Sequence, residues 1–172
     1  QIPVLRVMAE TVGAQAGHIL EIGFGRGISA SLIQQYDVAS HTIIECNEHV
    51  VEHYFRPWQQ RYPGRDIRLC QAKWQDVTAQ LGIYDAILFH AYPLTPHEVQ
   101  QNAAGVATFA GDFFAVAAAH LQPNGVFTYL SHEMDSLSRR HQRLLLTHFR
   151  SFSVSVMPLE LPADCRDWWW AD

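Results

Sequence analysis

The sequence predicts an α/β domain in which a mostly parallel sheet carries helices on both faces. Three observations lead there. Short apolar runs of strand length alternate along the chain with segments of helical periodicity. The Pro and Gly punctuation falls between those runs rather than inside them. The run His18 to Ile22 opens straight into a glycine cluster that feeds a helix, the context in which such a cluster has meaning. Strands alternating with helices join by right-handed crossovers, so neighbours run parallel and the ligand crevice lies outside the carboxyl ends of the strands. The 172 residues, 48% of them hydrophobic and 17% charged, suffice for one domain with its own core and exclude long disorder.

Pro3 to Val12 reads as an apolar helix and His18 to Ile22 as a buried strand. Ile28 to Tyr36 is a second helix, leading to the strand Thr42 to Glu45. A third helix, Glu48 to Tyr62, is closed by Pro63-Gly64, and Ile67 to Cys70 follows as a strand. Tyr84 to Phe89 is the next strand. Thr95-Pro96-His97-Glu98 then supplies a cap residue, a first-turn proline and an acid three residues after the cap, starting a helix expected to reach His120. Pro123-Asn124-Gly125 turns the chain into the strand Val126 to Leu130. A helix from Met134 to Phe149 and an alternating strand, Phe152 to Met157, come after it. Trp168 to Trp170 is expected in a last strand that buries Trp168 and Trp170 on one face, with a domain contact as the alternative.

Composition limits the partners. Twelve basic against 17 acidic side chains give a net charge of −5, and no basic run exceeds Arg139-Arg140, which argues against nucleic-acid binding. The longest apolar stretch, Ala103 to Leu121, is interrupted by Gly111-Asp112 and His120, so no segment reads as a membrane span. Three scattered cysteines (Cys46, Cys70, Cys165) suit neither a disulfide framework nor a thiolate zinc site and point to a reducing, cytoplasmic setting. No signal peptide is visible. The chain begins with Gln1 rather than Met and enters an apolar helical pattern at once, so an N-terminal segment or a neighbouring domain is expected to be absent from it.

The glycine cluster is Glu21-Ile22-Gly23-Phe24-Gly25-Arg26-Gly27-Ile28. Gly23 and Gly25 allow a sharp turn and a close approach of backbone to ligand, and the helix beginning near Gly27 offers free N–H groups. The third glycine comes one residue earlier than in the dinucleotide fingerprint, which counts against a nicotinamide dehydrogenase. Glu21, at the strand end, is unwelcome beside a pyrophosphate but suits a ligand with an amino group. Glu45 ends the second strand 22 residues after Gly23, near the spacing at which a carboxylate accepts hydrogen bonds from ribose hydroxyls. Together these features point to S-adenosylmethionine as the cofactor.

Several blocks in order resemble guanidinoacetate methyltransferase and the related fungal arginine methyltransferases. They are Leu20-Glu21-Ile22-Gly23-Phe24-Gly25, Ile43-Ile44-Glu45-Cys46-Asn47, Trp74-Gln75-Asp76-Val77, Tyr92-Pro93-Leu94, Gly125-Val126-Phe127-Thr128-Tyr129 and Pro162-Ala163-Asp164-Cys165-Arg166. The resemblance implies the Rossmann-like class I methyltransferase fold, with a mostly parallel seven-stranded sheet. It further implies that Gly23 to Ile28, including Phe24, Gly25 and Gly27, wrap the methionine part of the donor and that Glu45 binds the ribose. Asn47 would lie beside the ribose, and Lys73, Trp74 and Gln75 would flank the adenine.

The departures bear on the acceptor. In the family, the end of the fourth strand carries an aspartate that holds the guanidino group; here Phe89-His90-Ala91-Tyr92-Pro93 puts His90 there. A neutral imidazole does not replace a carboxylate beside a guanidinium, so the expected reaction is methyl transfer to an oxygen or nitrogen of another small molecule, with a guanidino acceptor as the alternative. Gln75 replaces the first acid of the family's Trp-Glu-Asp pattern, and the family's N-terminal lid precedes the point where this chain begins. An imidazole, with an unperturbed pKa of about 6.5, suits a base that takes a proton from a hydroxyl or ammonium. His90 is therefore the first catalytic candidate and also borders the donor. His132 and Glu133, just after the fifth strand, are second candidates because their loop opens onto the same crevice.

Two rival classes are carried forward. One is a noncatalytic domain that merely retains the S-adenosylmethionine site, since the family's lid is missing; in the enzyme reading the small-molecule acceptor is free, or borne on a carrier protein where the chain belongs to a larger biosynthetic assembly. The other rests on His49-Val50-Val51-Glu52-His53, which matches the His-x-x-Glu-His pattern of zinc hydrolases. Val50, Val51, Tyr54, Phe55 and Trp58 mark a buried stripe on that helix and leave His49, Glu52 and His53 on the solvated face, so no metal is expected.

Overall fold

A computed structural model describes residues 2–95, 97–100, 108–131, 133 and 136–158. Helix α1 (Ile2–Gly13) leads to strand β1 (His18–Ile22), helix α2 (Ile28–Ile33) and strand β2 (Ser40–Ile44). Helix α3 (Glu48–Val50) widens into a π-turn, Val51–Phe55, and continues as α4 (Arg56–Gln59). Strand β3 (Ile67–Cys70), helix α5 (Trp74–Val77) and strand β4 (Tyr84–Phe89) follow. After a 3-10 turn, Phe109–Phe113, come α6 (Phe114–His120), strand β5 (Leu121–Tyr129) and α7 (Arg139–His148). The sheet order is β3-β2-β1-β4-β5 and all four pairings are parallel. The chain reverses direction across the sheet between β1 and β4, the place where an open parallel sheet leaves its crevice.

Period-two alternation sorts the strand side chains onto two layers. Leu20, Ile22, Ile87 and Phe89 pack with Phe113, Phe114 and Leu145 on one face. Ile19, Ala86 and Leu88 pack with Met8, Val12 and Ile33, which brings α1 and α2 onto the other. A third cluster, Phe24, Ile43, Phe55 and Trp58, closes the β2 side beneath the glycine loop.

Several boundaries differ from the expected ones. Among the described residues the sheet has five strands rather than seven. Phe152 to Met157 is irregular, with Val154 and Val156 52% and 68% exposed, so its alternation covers no layer among the described residues. Trp168 to Trp170 and Pro162 to Arg166 lie outside the described residues. The continuous helix expected from Thr95 to His120 is absent: residues 97–100 are helical, but Thr108 is extended (φ −162°) and the chain re-enters helical geometry through the 3-10 turn. The Thr95 start signal is present, since the Glu98 side chain accepts the Leu94 and Thr95 N–H groups and Glu98 N–H donates to the Thr95 hydroxyl. Pro123 to Gly125 does not precede β5 but bulges within it, where the missing proline N–H is tolerated and the register against β4 shifts. Helix α2 stops at Ile33, and α7 starts at Arg139, where the Ser138 hydroxyl caps it by accepting His141 N–H. No helix among the described residues is long and apolar enough to cross a membrane.

Candidate active site

The glycine loop leaves β1 at the carboxyl edge of the sheet. Gly23, Gly25 and Gly27 all have positive φ, at 88°, 56° and 71°. Gly23 N–H donates to the Ile44 carbonyl at 2.9 Å. A Cβ added to Gly23 would fall 2.4 Å from the His90 carbonyl oxygen, so the absence of a side chain lets the ends of β1 and β4 close up. Phe24 does not present its ring to the crevice: it is 3% exposed and packs edge-on against Phe55 and Trp58, leaving its backbone to the loop. Half-buried Ile28 opens α2.

Glu45, one residue past β2, holds this loop. Its Oε2 accepts the backbone N–H groups of Phe24 at 2.9 Å and Gly25 at 3.3 Å, and its Oε1 accepts that of Asn47 at 2.8 Å. A carboxylate has about four acceptor directions, and only one described donor reaches Oε1, so capacity remains there for a ribose hydroxyl. Asn47 spends its side-chain oxygen on capping α3, accepting from His49 and Val50 N–H. Lys73 and Gln75 are exposed beyond β3. Trp74 is turned into the core instead, its ring 5.1 Å from that of Phe113 and 6.1 Å from that of Phe89, because the first turn of α5 faces the aromatic layer. Burial, and then the Glu45 charge, push the neighbouring Cys46 thiol up, away from the reactive thiolate.

Glu21, expected to meet an amino group of the ligand, does not face the crevice. It is fully buried, because its place in β1 puts it on the same face as Ile19, towards α1 and α2. One carboxylate oxygen accepts the Ser29 hydroxyl. The other lies 3.0 Å from Nε2 of fully buried His41, off the line of a straight hydrogen bond.

His90 follows β4, its N–H donating to the Ile22 carbonyl at 2.9 Å. Its ring Nε2 is 2.9 Å from the Tyr92 hydroxyl. The two rings form one wall of a shallow, open depression between the end of β4 and residues 108–110, bordered by Leu130. Among the described residues lining it, none is acidic. Tyr92 and Thr108 were not among the expected site residues; Tyr92 was legible only as part of the Tyr92-Pro93-Leu94 block.

Glu133, expected at the crevice, is engaged by α7 and the residue before it. Glu133 Oε2 lies 3.0 Å from Nδ1 of buried His141 and accepts the Ser138 N–H at 2.9 Å, while His141 Nε2 is 2.6 Å from the Tyr129 hydroxyl. Burial acts to raise the Glu133 pKa, but the hydrogen bonds from Ser138 and His141 outweigh it and hold the carboxyl below its ordinary value. Burial pushes the Tyr129 hydroxyl well above the ordinary phenol range, so it stays protonated. Glu133 thus serves α7 rather than standing open to a substrate. His132 lies outside the described residues.

The solvated helix face is engaged too. Glu52 pairs with Arg56 at 2.7 Å, and the rings of His49 and His53 stack with centroids 4.1 Å apart. Among the described residues no three metal-ligating side chains gather. Tyr54, expected in the buried stripe, is 37% exposed under the Arg26 guanidinium, since the wide π-turn shifts the helical phase.

The chain is similar to known proteins in sequence and shape. The family model described as guanidinoacetate N-methyltransferase matches residues 1–138. A protein arginine N-methyltransferase 2 of Gibberella zeae is 34% identical over 91 residues, 46% of this chain and 21% of that protein. The match thus spans about a fifth of the length of that relative. The cyclopropane synthase MmaA2 from Mycobacterium tuberculosis superposes with a TM-score of 0.54 at 25% identity, covering 75% of this chain and 41% of that one. Precorrin-6y C5,15-methyltransferase from Geobacter metallireducens gives a TM-score of 0.62 at 15% identity, with 85% and 70% covered; that likeness is one of fold.

Proposed function

The chain belongs to the guanidinoacetate N-methyltransferase family, with its Rossmann-like methyltransferase fold, and from that premise we propose that it is an S-adenosylmethionine-dependent methyltransferase. The observation that carries the proposal is Glu45, whose carboxylate joins the glycine loop to the end of β2 and keeps acceptor capacity for a ribose. Gly23 to Ile28, Glu45, Asn47 and the backbone about Lys73, Trp74 and Gln75 would hold the donor, which supplies a methyl group on a positively charged sulfur. The exposed Gly25, with open space where a Cβ would stand, fits a ligand lying against backbone.

The acceptor would enter beside His90. Transfer to oxygen or nitrogen leaves one proton on the new bond partner. His90 can take that proton or orient the group that bears it, and the Tyr92 hydroxyl at 2.9 Å fixes the ring. A guanidinium acceptor would call for a carboxylate, and the described lining has none. This favours a neutral hydroxyl or amine on a small molecule, free or delivered by a neighbouring domain, in a cytoplasmic setting.

Calorimetric titration of S-adenosylhomocysteine, with NADH as control, tests the donor site. Wild type is expected to bind and Glu45→Ala to lose at least tenfold in affinity; no binding by wild type overturns the proposal. Turnover with a panel of amines, guanidines, phenols and carboxylic acids then separates the enzyme from a domain that only binds the donor.

A further inference from the structure

We propose that Glu21 is a positioning residue for donor binding, acting through Ser29 on the glycine loop rather than by touching the ligand; this rests on the donor-site reading above. The loop runs from Gly23 to Gly27 between β1 and α2, and each end needs an anchor. Glu45 holds the near half through Phe24 and Gly25 N–H. Glu21, the last but one residue of β1, reaches under the loop to the Ser29 hydroxyl in the first turn of α2. The two carboxylates thus grip the loop from opposite sides.

The cost of this arrangement is the reason to read it as functional. Burying a carboxylate is expensive, and an apolar side chain of similar volume commonly serves stability as well or better. Here Glu21 and His41 are wholly shielded, and Oε2 of the one and Nε2 of the other lack aligned hydrogen-bond partners, as does the side-chain oxygen of Gln34. Gln34 Nε2 lies 3.1 Å from His41 Nδ1, and Trp58 stands edge-on to the His41 ring. Trp58 also donates to Ser31, whose hydroxyl donates to the Gly27 carbonyl at the far end of the loop. A buried polar chain of contacts therefore lies beneath the loop, tied to α2 by the Glu21–Ser29 and Trp58–Ser31 hydrogen bonds. Its effect is to fix the first turn of α2, and so the directions of the loop's N–H groups, before any ligand arrives. Preorganisation of this kind appears as affinity, since the bound geometry need not be assembled on binding.

The test uses S-adenosylmethionine and S-adenosylhomocysteine as separate titrants against wild type, Ser29→Ala and Val38→Ala, at a temperature where circular dichroism shows each protein folded. Val38 is buried in the same layer but takes no part in the chain, so its variant reports general destabilisation. Ser29→Ala is expected to weaken both titrants about tenfold, and Val38→Ala neither. Unchanged affinity in Ser29→Ala, or an equal loss in Val38→Ala, overturns the positioning role. A loss confined to S-adenosylmethionine also overturns it, because Glu21 would then act on the sulfonium charge directly. Glu21→Leu, which keeps the volume but removes the acceptor of the Ser29 hydroxyl, is read by the same outcomes should Ser29→Ala not fold. If wild type binds neither titrant, the donor-site reading itself fails and the positioning role with it.

Discussion

Nδ1 of His141 lies 3.0 Å from Oε2 of Glu133, and the same imidazole meets the Tyr129 hydroxyl at 2.6 Å through Nε2. Because an ionised carboxylate only accepts, it is Nδ1 of His141 that donates to Glu133. Three residues from β5, the following loop and α7 are thereby locked together beside the depression that Leu130 borders.

The lock makes stability depend on pH with a definite sign. The Glu133 carboxyl is held below its ordinary value of 4.5 in the fold and returns to it on unfolding. Its contribution is therefore full above that value and fades as pH falls through the lower native one. Glu133→Gln is expected to lower Tm by roughly 2–4 °C at pH 7, from a screened, charge-assisted bond of about 1 kcal/mol, and by less as the pH drops below 4. Thermal melts across pH 3 to 8 check this; a constant difference refutes it.

Two glycines in one loop should respond differently to alanine. At Gly25, where a Cβ meets nothing within 4 Å, the cost is the left-handed backbone alone, about 1–2 kcal/mol. At Gly23 the new Cβ would also strike the His90 carbonyl, so the loss should exceed about 3 kcal/mol. Urea unfolding measures both. Gly25→Ala should stay folded yet bind S-adenosylhomocysteine poorly, because the ligand needs the space that the methyl fills.

How much of this was legible follows from what a linear pattern encodes. Strands β1, β3 and β4 lie where their apolar runs are read, since each run is bounded by its own turn residues. The capping pair Thr95 and Glu98 is also where the sequence puts it, as a signal confined to four residues. The helix beyond it fails at Thr108, because apolar, alanine-rich composition does not register a single extended residue. Glu45 could be found by spacing from the glycines. Glu21 could be found but not oriented, for which face of β1 looks at α2 depends on packing. The Glu133, His141 and Tyr129 lock joins three elements, and no spacing along the chain announces it.

Donor binding should stabilise the fold by mass action. At a ligand concentration 100 times Kd the gain is about 2.7 kcal/mol, which raises Tm by roughly 5–10 °C for a chain of this size. S-adenosylhomocysteine is expected to produce that shift in wild type and no more than about half of it in a tenfold weaker Glu45→Ala at the same concentration. Glu45→Ala should itself melt lower without ligand, because the Phe24, Gly25 and Asn47 N–H groups lose their acceptor. Equal ligand shifts in both proteins would remove Glu45 from the donor site.

Proton transfer and positioning by His90 have different kinetic signatures. If the imidazole takes the acceptor's proton, His90→Ala should lower kcat by about 10²-fold or more, with little change in affinity for S-adenosylhomocysteine. The fall in kcat/KM at low pH should disappear with the imidazole. Tyr92→Phe removes the hydroxyl 2.9 Å from Nε2 but leaves the base, so its kcat should fall less and its acidic limb should persist at a shifted pH. Should His90 only orient the acceptor, His90→Gln, which retains a hydrogen-bonding group near Nε2, would restore most of kcat. A base leaves that variant as inactive as alanine, because an amide cannot accept the proton at neutral pH. Single-turnover rates of the three variants across pH 5 to 9 therefore decide which role the histidine has.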